Sequence, residues 1–209
     1  LSIYPENLKY ILLDYQKFTF HDTAHVVLPR DDKYVIWEDK KMQLNAVSYV
    51  EEKAALMQSR QHDKNLVRTQ YGQGDVVETS LFIKLLCTIT NKIASLDPSG
   101  IGVEMETDKP NWYDALNGIP GLMGSSLCET LEIKRHAVFL LNFLKESSLR
   151  ENEVEVFEEL NGFMQKISEL LLSTEGAFEY WDAATSVKEA YREKTLYGIS
   201  GEMTRVNLS

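Results

Sequence analysis

Residues 126–147, SLCETLEIKRHAVFLLNFLKES, decide the reading of the fold. Ile133, Ala137, Leu140 and Leu144 recur at helical spacing and form one stripe. Leu127, Leu131, Val138 and Leu141 widen it, and a band that wide predicts a helix buried on two sides. Two more stripes lie downstream. One runs over about 153–173 through Val156, Leu160, Phe163, Ile167 and Leu170, behind an acidic start that suits a helix N-terminus. The other runs over about 177–197 through Tyr180, Ala184, Val187 and Tyr191, with Gly198 as its stop. Upstream, helical spacing appears over 5–15, over 44–60 (Val47, Val50, Ala54, Met57), and through Phe82, Leu86, Ile89, Ile93 and Leu96. Asp75 and Glu78 read as a capping pair for the last of these, and Asp97-Pro98-Ser99-Gly100 stops it. Two short extended runs, 26–28 and 34–37, flank Pro29-Arg30-Asp31-Asp32 and predict one short β-hairpin near 25–37. The expected fold is mainly α, a single domain over 1–209 built of antiparallel helical hairpins.

Composition narrows the function classes. The chain has 209 residues, 44% hydrophobic and 26% charged, an ordinary globular balance. Lys and Arg total 22 against 32 Asp and Glu, and the net charge of -10 argues against a nucleic-acid partner. No apolar run reaches the ~20 residues of a membrane span, so no membrane partner is expected. The first residues carry no basic leader region, and a cytoplasmic location is the expectation. Cys87 and Cys128 have no Cys-x-x-Cys spacing and read as free thiols of a reducing compartment. His21-Asp22-Thr23-Ala24-His25 has the zincin His spacing, but Asp stands where Glu is required and the flanks read as extended. No metal site is expected.

The segment 97–124 concentrates the chemistry. It is rich in Gly and Pro yet also in Trp, Tyr, Met, Ile and Leu, the composition of a packed, functional loop rather than a linker. Within it, Glu104, Glu106, Asp108, Asp114, Trp112, Tyr113, Asn117 and Lys109 fall within 18 residues. Rings stack on the apolar faces of sugars, and carboxylates and amides bond to hydroxyl pairs. One carboxylic acid, kept protonated by an apolar or anionic setting, protonates a leaving glycosidic oxygen. Asp114, beside Trp112 and Tyr113, fits that role; it equally fits a cap on a short helix over 115–118.

Here the residues resemble a family. Trp112-Tyr113-Asp114-Ala115-Leu116-Asn117-Gly118 is similar to the Trp-Asn-Asp-Gly-Met-Asn segment of cellobiose phosphorylase and related inverting glycoside phosphorylases. The likeness covers 104–145, with Tyr113 in place of Asn and Ala115 in place of Gly. It implies Asp114 as general acid, an oligosaccharide or disaccharide substrate, and inorganic phosphate as co-substrate with no other cofactor. It also implies an (α/α)6 barrel of twelve helices. The spacing gives six, so the chain reads as about half of a toroid and a fragment of a larger carbohydrate-active enzyme. The other half of the barrel becomes the expected partner, and an unpartnered apolar flank would favour self-association.

The remaining candidates flank this core. A hydrolase sharing the barrel needs a second carboxylate to activate water. Glu106 is the catalytic candidate, and Glu129 sits nearby, although Ser126-Leu127-Cys128-Glu129 also matches a Ser-x-x-Glu capping box. Arg68 and Gln70, in the Arg68–Gly74 loop, are candidates for substrate hydroxyls or phosphate, set against a plain solvated loop. Trp112, Tyr113, Asn117, Glu104 and Lys109 complete the substrate-binding set. The alternative function is a non-catalytic helical interaction or scaffold domain, which the acidic surface and the apolar stripes also suit.

Overall fold

The computed structural model describes residues 5–43, 46–104, 125–146 and 153–207. Helical turns at Pro5–Asn7 and Tyr10–Asp14 open the chain. Strand β1 (His25–Val27), helical turn α1 (Arg30–Lys33), β2 (Tyr34–Trp37), β3 (Lys40–Gln43), β4 (Val47–Tyr49) and helix α2 (Glu51–Ser59) follow. Then come α3 (Leu81–Ile93), β5 (Val103–Glu104), β6 (Ser125–Ser126), α4 (Leu127–Glu146), β7 (Glu153–Phe157), α5 (Glu158–Ser173), α6 (Ala177–Lys194) and β8 (Met203–Asn207).

This is a mixed α/β architecture, and it corrects the mainly α, half-toroid expectation. The strands form four two-stranded antiparallel ladders among the described residues: β1–β4, β2–β3, β5–β6 and β7–β8. The expected hairpin across 29–32 does not form. Pro29 is extended and leads into α1, so β1 turns away to pair with β4, with Val27 opposite Val47. β2 pairs instead with β3, through left-handed residues at Glu38 (φ 48°) and Asp39 (φ 60°) between Trp37 and Lys40. Two consecutive left-handed residues match the right-handed twist of a two-residue hairpin.

Period-2 alternation explains two further differences. Residues 153–157 read E-V-E-V-F, with Val156 and Phe157 buried and Glu153 and Glu155 exposed. That is a half-buried strand, not the first turn of a helix. It pairs with β8, Val154 opposite Val206 and Val156 opposite Thr204, and α5 starts only at Glu158. Likewise Val47 lies in β4 and the helix expected over 44–60 begins at Glu51.

The stripes that hold are those of α3, α5 and α6. Phe82, Ile83 and Ile89 of α3 meet Leu160, Phe163 and Ile167 of α5 and Tyr180 and Ala184 of α6 in one buried core, closed by Leu12, Val77, Val156 and Ile199. Phe163 stacks on Tyr191 with ring centroids 4.4 Å apart. The cap on α3 is Ser80, whose Oγ accepts from the Ile83 N–H at 3.3 Å; Glu78 instead pairs with Lys17. α4 buries Leu140 and Phe143 in the core, while Leu127, Leu131, Val138 and Leu141 are exposed. Among the described residues, its wide band is therefore covered on one side only.

Candidate functional site

The site grows from a turn at the end of α3. The Asp97 carboxylate accepts the N–H groups of Ser99 (2.8 Å), Ile101 (3.3 Å) and Gly102 (2.7 Å) and the Ser125 hydroxyl (2.6 Å). Burial alone would raise its pKa, but these four donors outweigh burial and hold it below the ordinary carboxylate value. Thr130 Oγ1 accepts the Val103 N–H at 3.0 Å and donates to the Ser126 carbonyl at 2.7 Å. The turn thereby lays β5 against β6, and Glu104 becomes the register partner of Ser125. Residues 104 and 125, which flank the stretch 105–124, are neighbours.

Glu104 is buried at this neck. Its Oε1 accepts the Tyr34 hydroxyl from β2 and its Oε2 accepts the Trp181 indole N–H from α6 at 3.2 Å. Its backbone N–H donates to the Ser95 carbonyl at 2.7 Å. Ser95 Oγ in turn accepts from Lys188 Nζ at 3.1 Å and donates to the Asn91 carbonyl at 2.7 Å. The Tyr34 and Trp181 rings lie 6.5 Å apart, Phe178 lies 5.5 Å from Trp181, and Phe178 is exposed. The Arg30 guanidinium sits 5.8 Å over Trp181 and is fixed by Asp182 (2.5 Å) and Ser186 (2.6 Å). Lys33 Nζ lies 5.4 Å from the Tyr34 ring centroid, and both Lys33 and Lys188 are almost fully buried. The neck thus gathers an oriented carboxylate, two aromatic rings and buried cations.

Of the residues named from sequence, Glu104 belongs to this cluster. Glu106, Lys109, Trp112, Tyr113, Asp114 and Asn117 lie outside the described residues. Glu129 sits one turn into α4. Its N–H donates to Ser126 Oγ at 3.2 Å, as the capping box requires, and its carboxylate pairs with Lys92 of α3. Arg68 and Gln70 lie on a different part of the chain. Gln70 (φ 49°) and Tyr71 (φ 52°) are left-handed, and their N–H groups donate to the carbonyls of Ser200 (3.1 Å) and Ile199 (2.9 Å). Gly198 permits this approach, because a Cβ there would lie 2.3 Å from the Arg68 carbonyl oxygen. His25 lies in β1 with its ring 5.1 Å from that of Tyr49, in extended backbone rather than on a helix face.

Sequence reading missed Tyr34, Trp181, Ser95 and Lys188. Trp181 carried a signal: a large ring one residue off the Tyr180–Ala184–Tyr191 stripe points away from the core. Tyr34 carried none, because only the tertiary fold brings β2 to the neck. A cavity of about 740 Å³ lies between Val26–Pro29 and the second half of α6, lined by apolar Val26, Leu28, Ala190 and Leu196 and by Glu189. Among the described residues its lining includes no aromatic ring, and the Arg30 backbone N–H donates to Glu189 in its wall at 2.6 Å. No helix among the described residues is long and apolar enough to cross a membrane. No known family model matches the sequence, and no curated protein is significantly similar to it.

Proposed function

We propose that this chain is part of a carbohydrate-active enzyme of a reducing, cytoplasmic compartment, cleaving a glycosidic bond with inversion. Asp114 is the general acid. The observation that carries the reading is Glu104, a buried carboxylate oriented by Tyr34 and Trp181 where the stretch 105–124 leaves β5. That stretch bears the motif similar to inverting glycoside phosphorylases. Glu104 accepts a pair of sugar hydroxyls or fixes the rings that stack on the sugar. Asp114 gives its proton to the leaving glycosidic oxygen as the C–O bond breaks. Phosphate, or water activated by Glu106, attacks the anomeric carbon from the opposite face, so the configuration inverts.

The test is Asp114→Asn in the intact enzyme, with a natural disaccharide beside an activated aryl glycoside. The natural substrate needs the proton and loses about 10²–10⁴-fold in rate. The aryl glycoside, whose leaving group departs unaided, loses far less. Equal losses on both substrates, or none, would make Asp114 a helix cap and overturn the assignment. Release of a sugar 1-phosphate with added phosphate, against free sugar without it, separates phosphorolysis from hydrolysis.

A further inference from the structure

The loop that carries Arg68 bounds a second cavity, of about 390 Å³, lined by Leu56, Ser59, Arg60, Gln61, His62, Arg68, Gly72 and Gln73. It shares no residue with the cluster around Glu104. Two arginines meet there. Arg60 is buried, and its Nη1 bonds to Asp22 (2.9 Å) and to the carbonyls of Lys64 (2.8 Å) and Leu66 (3.1 Å). Its Nε donates to the Gly72 carbonyl at 3.3 Å. Its Nη2, also buried, has no hydrogen-bond partner. Arg68 donates from Nη1 to the Gly74 carbonyl (3.0 Å) and from Nη2 to the His62 carbonyl (2.7 Å), while its Nε is buried without a partner.

Two arginines lining one cavity, each keeping a buried N–H without a partner, are unusual, because buried donors are nearly always satisfied. The local charge has the same sense. Asp22 is shared by Arg60 and by Lys53 at 2.7 Å, so two cations face one carboxylate. Among the described residues no carboxylate pairs with Arg68, whose bonds go to carbonyls. This positive spot sits in a chain of net charge -10. The backbone around it is held out of its ordinary conformation, with Asp63 (φ 48°), Gln70 (φ 49°) and Tyr71 (φ 52°) left-handed. Such strain clusters at ligand clamps. Gly72 (φ 95°) packs closely beside Arg60, since a Cβ there would stand 2.5 Å from the Tyr197 carbonyl oxygen, 2.8 Å from the Leu56 side chain and 3.1 Å from Arg60 Nη2.

We propose that this cavity binds a small oxyanion, with Arg60 Nη2 and Arg68 Nε as its donors. The shared chemistry is a compact anionic oxygen group accepting two guanidinium N–H bonds, and Gln61 and Gln73 stand at the rim. Bound there, the anion ties the end of α2 to the 68–74 loop. The site is separate from the proposed sugar site and does not depend on it.

The test is titration of the chain with inorganic phosphate at constant ionic strength, followed by calorimetry and by the thermal midpoint. Sulfate and acetate serve as the competing arms, and chloride as the reference. Saturable one-site binding is expected, with a rise in the midpoint that chloride does not give. Competition by sulfate alone marks a tetrahedral oxyanion, and competition by acetate as well marks a general one. Arg68→Gln should weaken binding at least tenfold. Because Arg68 also holds two carbonyls, Gln73→Glu is the second variant; it sets a negative charge on an exposed rim residue and should abolish binding with the helical spectrum unchanged. Glu132→Gln on α4 should leave binding as it was. Absence of saturable binding, or binding that survives Gln73→Glu in the folded protein, overturns the proposal.

Discussion

Four donors converge on Asp97, and the consequence is a pH dependence with a definite sign. Its folded pKa is lowered, so its contribution is present above the unfolded value of about 3.9 and is lost as pH falls through the folded value. Asp97→Asn is expected to cost about 1.5–3 kcal/mol near neutrality, the range for hydrogen bonds to a charged group. The gap between wild type and variant in urea unfolding should narrow as pH drops below about 4. A constant gap from pH 7 to pH 3 would contradict the role given to the carboxylate. The two thiols differ for a similar reason. Burial pushes the Cys87 thiol up, only partly offset by bonds with Tyr191 and Asn91 and the charge of Lys84. Cys128 is exposed. Alkylation at neutral pH should therefore modify Cys128 first, and Cys128→Ser should leave only a slow phase.

At the scale of the element, α2 has no apolar stripe to bury. Beside the single buried Met57, its attachment is ionic: Lys53 at 2.7 Å and Arg60 at 2.9 Å both bind Asp22, and all three are buried. Removing the shared carboxylate strands two cations, so Asp22→Ala should cost about 3–5 kcal/mol in chemical unfolding. A loss under about 1 kcal/mol, the range of an exposed pair, would mean water already reaches these groups. This also explains what was legible. α3, α5 and α6 announce themselves because each buries one face at the helical period. β7 and β8 were hidden because E-V-E-V-F sits directly before a helical stripe, and its partner M-T-R-V-N lies 46 residues on, from Phe157 to Met203 in register. A β-branched residue such as Val47 fits a helical wheel by position while its stiff side chain suits a strand. Position within a period says nothing of long-range pairing.

Among the described residues, one apolar face is exposed at the scale of the whole molecule. Leu127 (63%), Leu131 (58%), Val138 (47%) and Leu141 (49%) are exposed along one side of α4. Concentration-dependent self-association is the expected behaviour, read by light scattering, and Leu131→Lys with Leu141→Lys should reduce it while the helical spectrum persists. A strict monomer at high concentration would count against it. The candidate site was half legible at this scale: composition drew attention to Glu104 and its neighbours in sequence, but Tyr34 and Trp181 arrive from 70 and 77 residues away. The β5–β6 ladder has a further consequence. Asp97 and Thr130 hold Glu104 and Ser125 side by side, so the two ends of the sequence between them are fixed by the frame. Doubling the length of a loop closed at both ends costs only about 0.6 kcal/mol in closure entropy. Lengthening the sequence between residues 104 and 125 should therefore leave the frame beneath folding as before, with the urea midpoint nearly unchanged.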